Sequence, residues 1–368
     1  MIKLISFLLL CLTILFTACN SNTKNTETSK SITKGDTIAN SYAEAFRIIE
    51  YNDATVIEVI DPTNGKVDYN YEISVNKSTD ATYLGFDFSN VIALSATHIG
   101  MIDELGELDR ISGVSDASYL CNDALIKKSK SGKLKSVGDI GQSDIENYIA
   151  ASPDLIIYSG FDPKAPIIKK MKRAGLSIFA NFDWKETHPL GRAEWIKVFG
   201  VLFNKKEEAI AIYESIEKKY LKLKQALKDQ KEKPSVLVGT MYGDIFNAPA
   251  GESYMAQFLK DANVDYVYKN TEGVGSLSIS LEELITQNRT TDYWLNAAAT
   301  THQQLMNMNK RFSLMDAVGN GNSYTYYGDV NCFWERSAIL PHEVLKDLSI
   351  LFHDHSALDD LMFYSEIE

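Results

Sequence analysis

Six histidines, four cysteines and a surplus of carboxylates are the groups in this 368-residue chain that could do covalent or metal chemistry. Their spacing argues against both. No Gly-x-Ser-x-Gly elbow presents a nucleophilic serine, and no His-Glu-x-x-His pair sets two imidazoles on one helix face. No Cys-x-x-Cys or His-x-x-x-His spacing offers a structural zinc site. A bare-metal receptor needs three or four His, Asp or Glu ligands on one ion, and nothing in the spacing of His98, His188 and His302 brings them together. His98, at the start of a predicted helix, reads as a capping or packed residue. What remains is recognition without bond making. Tyr119, Ser159, Phe161, Trp184, Met241, Tyr242 and Asn296 each follow a short apolar run, and Arg192 stands near the start of a long helical stretch. Aromatic rings can wall in a bulky, partly apolar body, and a guanidinium can face its negative charge. Core packing for the rings and a carboxylate partner for Arg192 are the competing readings.

Those residues need elements to hold them. Residues 189–230 contain no proline after Pro189, and Ala209, Tyr213, Ile216, Tyr220, Leu223 and Leu227 repeat on one helical face. Gly200 and Asn204 divide the stretch into a first helix at 189–202 and a second at 205–230, the latter about 39 Å long. On each side lies a run of short apolar strands alternating with helices, the signature of a parallel sheet with helices on its faces. The fold class is therefore α/β, with two parallel-sheet lobes joined by a long α-helix. Residues 54–76 form a leading β-hairpin around Asp61-Pro62-Thr63-Asn64-Gly65. Open α/β sheets bind ligands at the carboxyl ends of their strands, which is where the aromatic candidates fall. Ser143-x-x-Glu146 and Ser280-x-x-Glu283 both read as capping boxes.

A net charge of −12 argues against nucleic acid, which needs clustered Lys and Arg. At the N-terminus Lys3 precedes an apolar run that ends in Phe16-Thr17-Ala18-Cys19. This resembles a bacterial lipoprotein signal, with Phe where Leu is usual, and implies a lipid on Cys19. Residues 20–40 are Ser/Thr/Asn/Lys-rich with little to bury and read as a tether. Cys121 and Cys332 fall in different predicted lobes, where a bridge would lock the two together, so they read as buried free thiols. The expected organisation is a signal peptide at 1–18, a tether at 19–50, a first lobe at 51–188, linking helices at 189–232 and a second lobe at 233–368.

Five phrases occur in order: ALSATHIGMIDELGELDRISGVS, SDIENYIAASPDLIIYSG, PLGRAEWIKVFGVLF, SISLEELITQNRTTDYWL and FWERSAILPHEVLKDLSILFH. Together they resemble the periplasmic substrate-binding proteins of ABC importers for iron chelates and vitamin B12, over roughly residues 91–353. The resemblance implies two lobes on a rigid helix, a metal chelate between them, and delivery to a permease dimer with its ATPase. It also implies one exposed glutamate per lobe docking on permease arginines, Glu146 and Glu282 here. The expected ligand is a ferric siderophore; a corrinoid is second, and haem, for which Tyr119, Tyr242 and His98 are axial candidates, is third. The expectation is thus a monomeric, non-enzymatic receptor with no cofactor of its own, lipid-anchored in the periplasm or on the cell surface. An exported metal-dependent or serine hydrolase is the remote alternative.

Overall fold

The computed structural model describes residues 35–326 and 332–368. The expected signal peptide, Cys19 and the first part of the expected tether lie outside the described residues.

The chain opens with a five-stranded sheet in sequential order, β1 (Asp36–Ile38), β2 (Phe46–Glu50), β3 (Thr55–Asp61), β4 (Lys66–Ile73) and β5 (Thr82–Gly85). The β3–β4 hairpin turns where Asp61 Oδ1 accepts from the Thr63 N–H and hydroxyl. Residues 36–50, expected in the tether, are instead part of this sheet. Hydrogen bonding joins apolar packing of Tyr42, Ala43 and Ala45 in holding the approach to β2. Glu194 accepts from the backbone N–H groups of Ser41, Tyr42 and Ala43, and Glu186 from those of Glu44 and Ala45, all at 2.8–3.0 Å.

Lobe 1 is an all-parallel sheet in the order β10-β9-β6-β7-β8. Its strands are β6 (Val91–Ala93), β7 (Ile111–Val114), β8 (Lys135–Ser136), β9 (Leu155–Ser159) and β10 (Ile178–Asn181). Its helices are α1 (Ala96–Glu104), α2 (Asp123–Lys130), α3 (Ile145–Ala151) and α4 (Pro166–Arg173). Asp144, not Ser143, is the N-cap of α3, so the capping box read at 143–146 does not form.

The linking unit is α5 (Pro189–Glu194), α6 (Ile196–Leu202) and the 22-residue α7 (Lys206–Leu227). Asn204, at φ +57°, makes the break between α6 and α7. Ala209, Tyr213, Ile216, Tyr220 and Leu227 are buried, as their period demands.

Lobe 2 has the sheet order β14-β11-β16-β17-β18, parallel except for β18. Its strands are β11 (Ser235–Val238), β14 (Asp265–Tyr266), β16 (Tyr293–Leu295), β17 (Ser323–Thr325) and β18 (Ser365–Glu366). A small antiparallel sheet of β12 (Thr240–Tyr242), β13 (Ile245–Pro249) and β15 (Ser276–Ser280) adjoins it. The helices are α8 (Tyr254–Asp261), α9 (Leu281–Gln287), α10 (His302–Met308), α11 (Asp316–Gly319), α12 (Phe333–Arg336) and α13 (Pro341–His353). Ser280 caps α9 by accepting from the Glu283 N–H.

A second connection joins the lobes. Helix α12 of lobe 2 lies so close to α1 of lobe 1 that a Cβ on Gly100 would stand 1.7 Å from the Glu335 carbonyl oxygen. Glu335 accepts from the Cys121 N–H at 2.8 Å. Cys121 and Cys332, expected as free thiols, are joined in a disulfide with their Cα atoms 5.4 Å apart, an ordinary spacing for such a bond. The expectation failed because it took a bridge across the lobes to be a defect, whereas the α12–α1 contact already fixes their spacing there.

Candidate ligand-binding site

The strand order of lobe 2 fixes where its site lies. From β11 the chain crosses first to β14 on one side and then returns to β16 on the other, so β11 and β16 flank the switch point. The loops leaving such a pair diverge and open a crevice at the carboxyl ends. The first residue past β11 is Gly239, and the first past β16 is Asn296. Gly239 has φ +144°, and a Cβ there would meet the Asn247 carbonyl oxygen at 2.3 Å, so glycine is required. The Trp294 indole N–H donates to the Gly239 carbonyl at 3.0 Å and ties the two loops together. Asn296 is itself left-handed, at φ +64°.

A cavity of about 380 Å³ opens at these strand ends, lined among others by Thr240, Tyr254, Asn296, Tyr326, Phe333 and Trp334. Its aromatic wall is a stacked pair, Tyr326 and Phe333, with ring centroids 4.2 Å apart and planes 4° off parallel. Trp334 meets both edge-on at 5.4 Å and is 51% exposed. Two polar atoms in the wall have no hydrogen-bond partner, Asn296 Oδ1 and Thr240 Oγ1. Asn296 is only 6% exposed. An unsatisfied buried polar atom costs about 1–3 kcal/mol, a cost that a ligand hydrogen bond would remove.

Arg192 reaches this wall from α5. Its guanidinium is buried, lies 4.2 Å from the centroid of the Tyr254 ring and is held 3.1 Å from Asp183 Oδ2. It stands as a paired charge behind Tyr254. The remaining sequence candidates take other positions. Met241 is half-buried against the core, and Tyr242, at the end of β12, is 85% exposed. On lobe 1, Ser159 is the exposed last residue of β9, and Tyr119, Phe161 and Trp184 are exposed beyond strand ends. Phe161 meets Tyr158 edge-on, and its carbonyl accepts from the Tyr69 hydroxyl. Asn296 is thus the one candidate of that set that lines the cavity. Tyr254, Tyr326, Phe333 and Trp334 escaped sequence reading. For Tyr326, Phe333 and Trp334 the signal was a cluster of aromatics within nine positions after β17, of which Phe333 and Trp334 open a phrase read only for its family resemblance; Tyr254, the first residue of α8, had no such mark. His98 is fully buried 6.1 Å from the Phe199 ring and does not face a cleft, and burial lowers its pKa to about 4.

Two other features carry no site. A wider hollow of about 830 Å³ lies around the amino ends of β11 and β14, beside Lys233, Lys260 and Asp265. None of its lining side chains is among the unpartnered buried groups. Cys121, Cys332 and Glu335 bring three ligand atoms within 4.8 Å of one another, but both sulfurs are committed to the disulfide.

Residues 91–330 match the family described as periplasmic binding protein. An uncharacterized lipoprotein of Methanocaldococcus jannaschii is 28% identical over 276 residues, 72% of this chain and 65% of the relative. The chain therefore spans a little under two thirds of that relative's length. The fold is similar to that of a periplasmic heme binding protein from Pseudomonas aeruginosa, with TM-score 0.59 and 16% identity over 76% of this chain and 98% of that one. It is also similar to the structure of an ABC-type Fe3+-hydroxamate transport system from Saccharomonospora viridis, with TM-score 0.54 and 19% identity over 73% and 94% of the respective chains.

Proposed function

The chain belongs to the periplasmic binding protein family, and from that premise we propose that it is the lipid-anchored receptor of an ABC importer for a metal chelate, foremost a ferric siderophore. The observation that carries this reading is the crevice at the β11–β16 switch point, with an aromatic wall and two lining residues, Thr240 and Asn296, that each hold a buried polar atom without a hydrogen-bond partner. Such a site binds by stacking and hydrogen bonding and requires no reacting group. Tyr119, Ser159, Phe161 and Trp184 supply the opposing rim on lobe 1, Met241 and Tyr242 flank the crevice, and Arg192 braces Tyr254. Glu146 and Glu282 are exposed in the first turns of α3 and α9. Ser280 caps through the Glu283 N–H, which leaves the Glu282 carboxylate free to meet a permease arginine. A rim pair of this kind fixes register and speeds encounter. Lipid on Cys19 holds the receptor at its membrane.

The test is a titration of the purified protein with ferric siderophores, cyanocobalamin and hemin, followed by tryptophan fluorescence and the ligands' visible spectra. Saturable one-to-one binding of one chelate is the expected result. A folded protein that binds none of them ends the chelate reading.

A further inference from the structure

The charge inventory of the crevice narrows the chelate. Fifteen residues line it, and among these described residues none is Asp, Glu, Lys, Arg or His. Two cations outside the lining, Arg192 and Lys185, are each paired with a carboxylate. Arg192 lies behind Tyr254 in a buried pair with Asp183, and Lys185, which stands over the rings of Phe182 and Trp184, donates to Asp61 at 2.9 Å. The chain as a whole carries −12. An anionic group taken out of water needs a paired counter-charge, and without one the desolvation penalty is several kcal/mol. None of the described lining residues supplies that counter-charge. They offer instead an apolar aromatic face, a carboxamide oxygen that accepts, and a hydroxyl that donates or accepts.

Resting on the chelate-receptor reading, we propose that lobe 2 selects an electrically neutral chelate, one that lays an apolar face on Trp334 and Phe333 and gives an amide N–H or hydroxyl to Asn296 Oδ1. Neutral ferric trihydroxamates and amide-bearing corrinoids have this chemistry. Ferric tricatecholates, which carry several negative charges, do not. Selection works by rejection as well as by fit, because the anionic chelate would leave its charge buried and unpaired.

The experiment compares four probes on the purified full chain: ferrichrome and cyanocobalamin as neutral chelates, ferric enterobactin and hemin as anionic ones. A neutral probe binding at least tenfold more tightly than both anionic ones, with a Kd that barely moves between 50 and 500 mM salt, is the expected result. Trp334→Ala, at a half-exposed position, should weaken that binding about tenfold, in line with the loss of one stacking partner. Trp334→Lys should narrow the preference by admitting the anionic probes. Tighter binding of ferric enterobactin or hemin to the native chain overturns the neutrality proposal and leaves the receptor reading intact. Failure of all four probes removes the receptor reading, and this inference falls with it.

Discussion

Two joints hold the lobes together, and they are built on different principles. The helical joint, α5 to α7, is local in sequence. One apolar stripe buries Tyr213, Ile216 and Tyr220, and the buried carboxylates Glu186 and Glu194 fasten the incoming N-terminal segment to it. The disulfide joint unites residues 211 positions apart, through backbone contact of α12 on α1 and one covalent bond. The first sets the lobes on a common axis, and the second removes freedom the first would leave. A clamp with two attachments has little room for wide hinge closure, so its cleft must be largely preformed, and a preformed cleft spends less of its binding energy on ordering.

Cutting the disulfide gives the largest expected effect. A crosslink closing a loop of this length restricts the unfolded chain by about 5 kcal/mol on the loop-entropy account. Cys332→Ser, or reduction, should lower the denaturant midpoint by a corresponding amount, while the helical joint keeps the lobes connected and folded. Alkylation of the unfolded protein checks the premise. Cys121 and Cys332 should resist modification until reductant is added, and ready labelling without it would remove the second joint altogether.

Next comes the helical joint. Glu194 accepts from three backbone N–H groups and from the buried ammonium of Lys197 at 2.5 Å. Glu194→Ala leaves that cation and those donors without their acceptor, a loss of about 3–5 kcal/mol. Residues 36–50 should then become the first site of limited proteolysis. A variant that is as stable and as protease-resistant as the parent would mean that the N-terminal segment is held by its sheet alone.

The two joints also differ in how far the sequence disclosed them. The α7 stripe was legible because a period near 3.6 is written into consecutive residues, and the break at Asn204 because Asn tolerates a left-handed turn. The disulfide joint leaves no local trace. Gly100 looks like an ordinary weak point in a helix until the Glu335 carbonyl is placed against it. Glu186 and Glu194 resemble solvent-facing charges, since a hydrogen bond to a residue some 140 positions away has no periodicity. The site divides in the same way. Asn296 could be read from the rule that ligands gather past strand ends, whereas the wall made by Tyr326, Phe333 and Trp334 arises from packing of side chains after β17 that no strand pattern marks.

The smallest predicted effect separates the joints by pH. Burial pushes the Glu186 carboxyl up from 4.5 to about 7, against the opposing pull of the Glu44, Ala45 and Trp195 N–H donors. Between these values the folded chain holds a proton that the unfolded chain has released. Its contribution to stability is therefore complete below about 4.5 and is lost as pH rises toward 7, by up to about 3 kcal/mol. Glu335 at the disulfide joint is raised by burial in the same direction, so the wild-type slope mixes the two. Glu186→Gln isolates the helical joint: its denaturation free energy, measured from pH 4.5 to 7, should fall less steeply than that of the parent. An unchanged slope would show that Glu186 is ionised throughout and that the three N–H donors outweigh its burial.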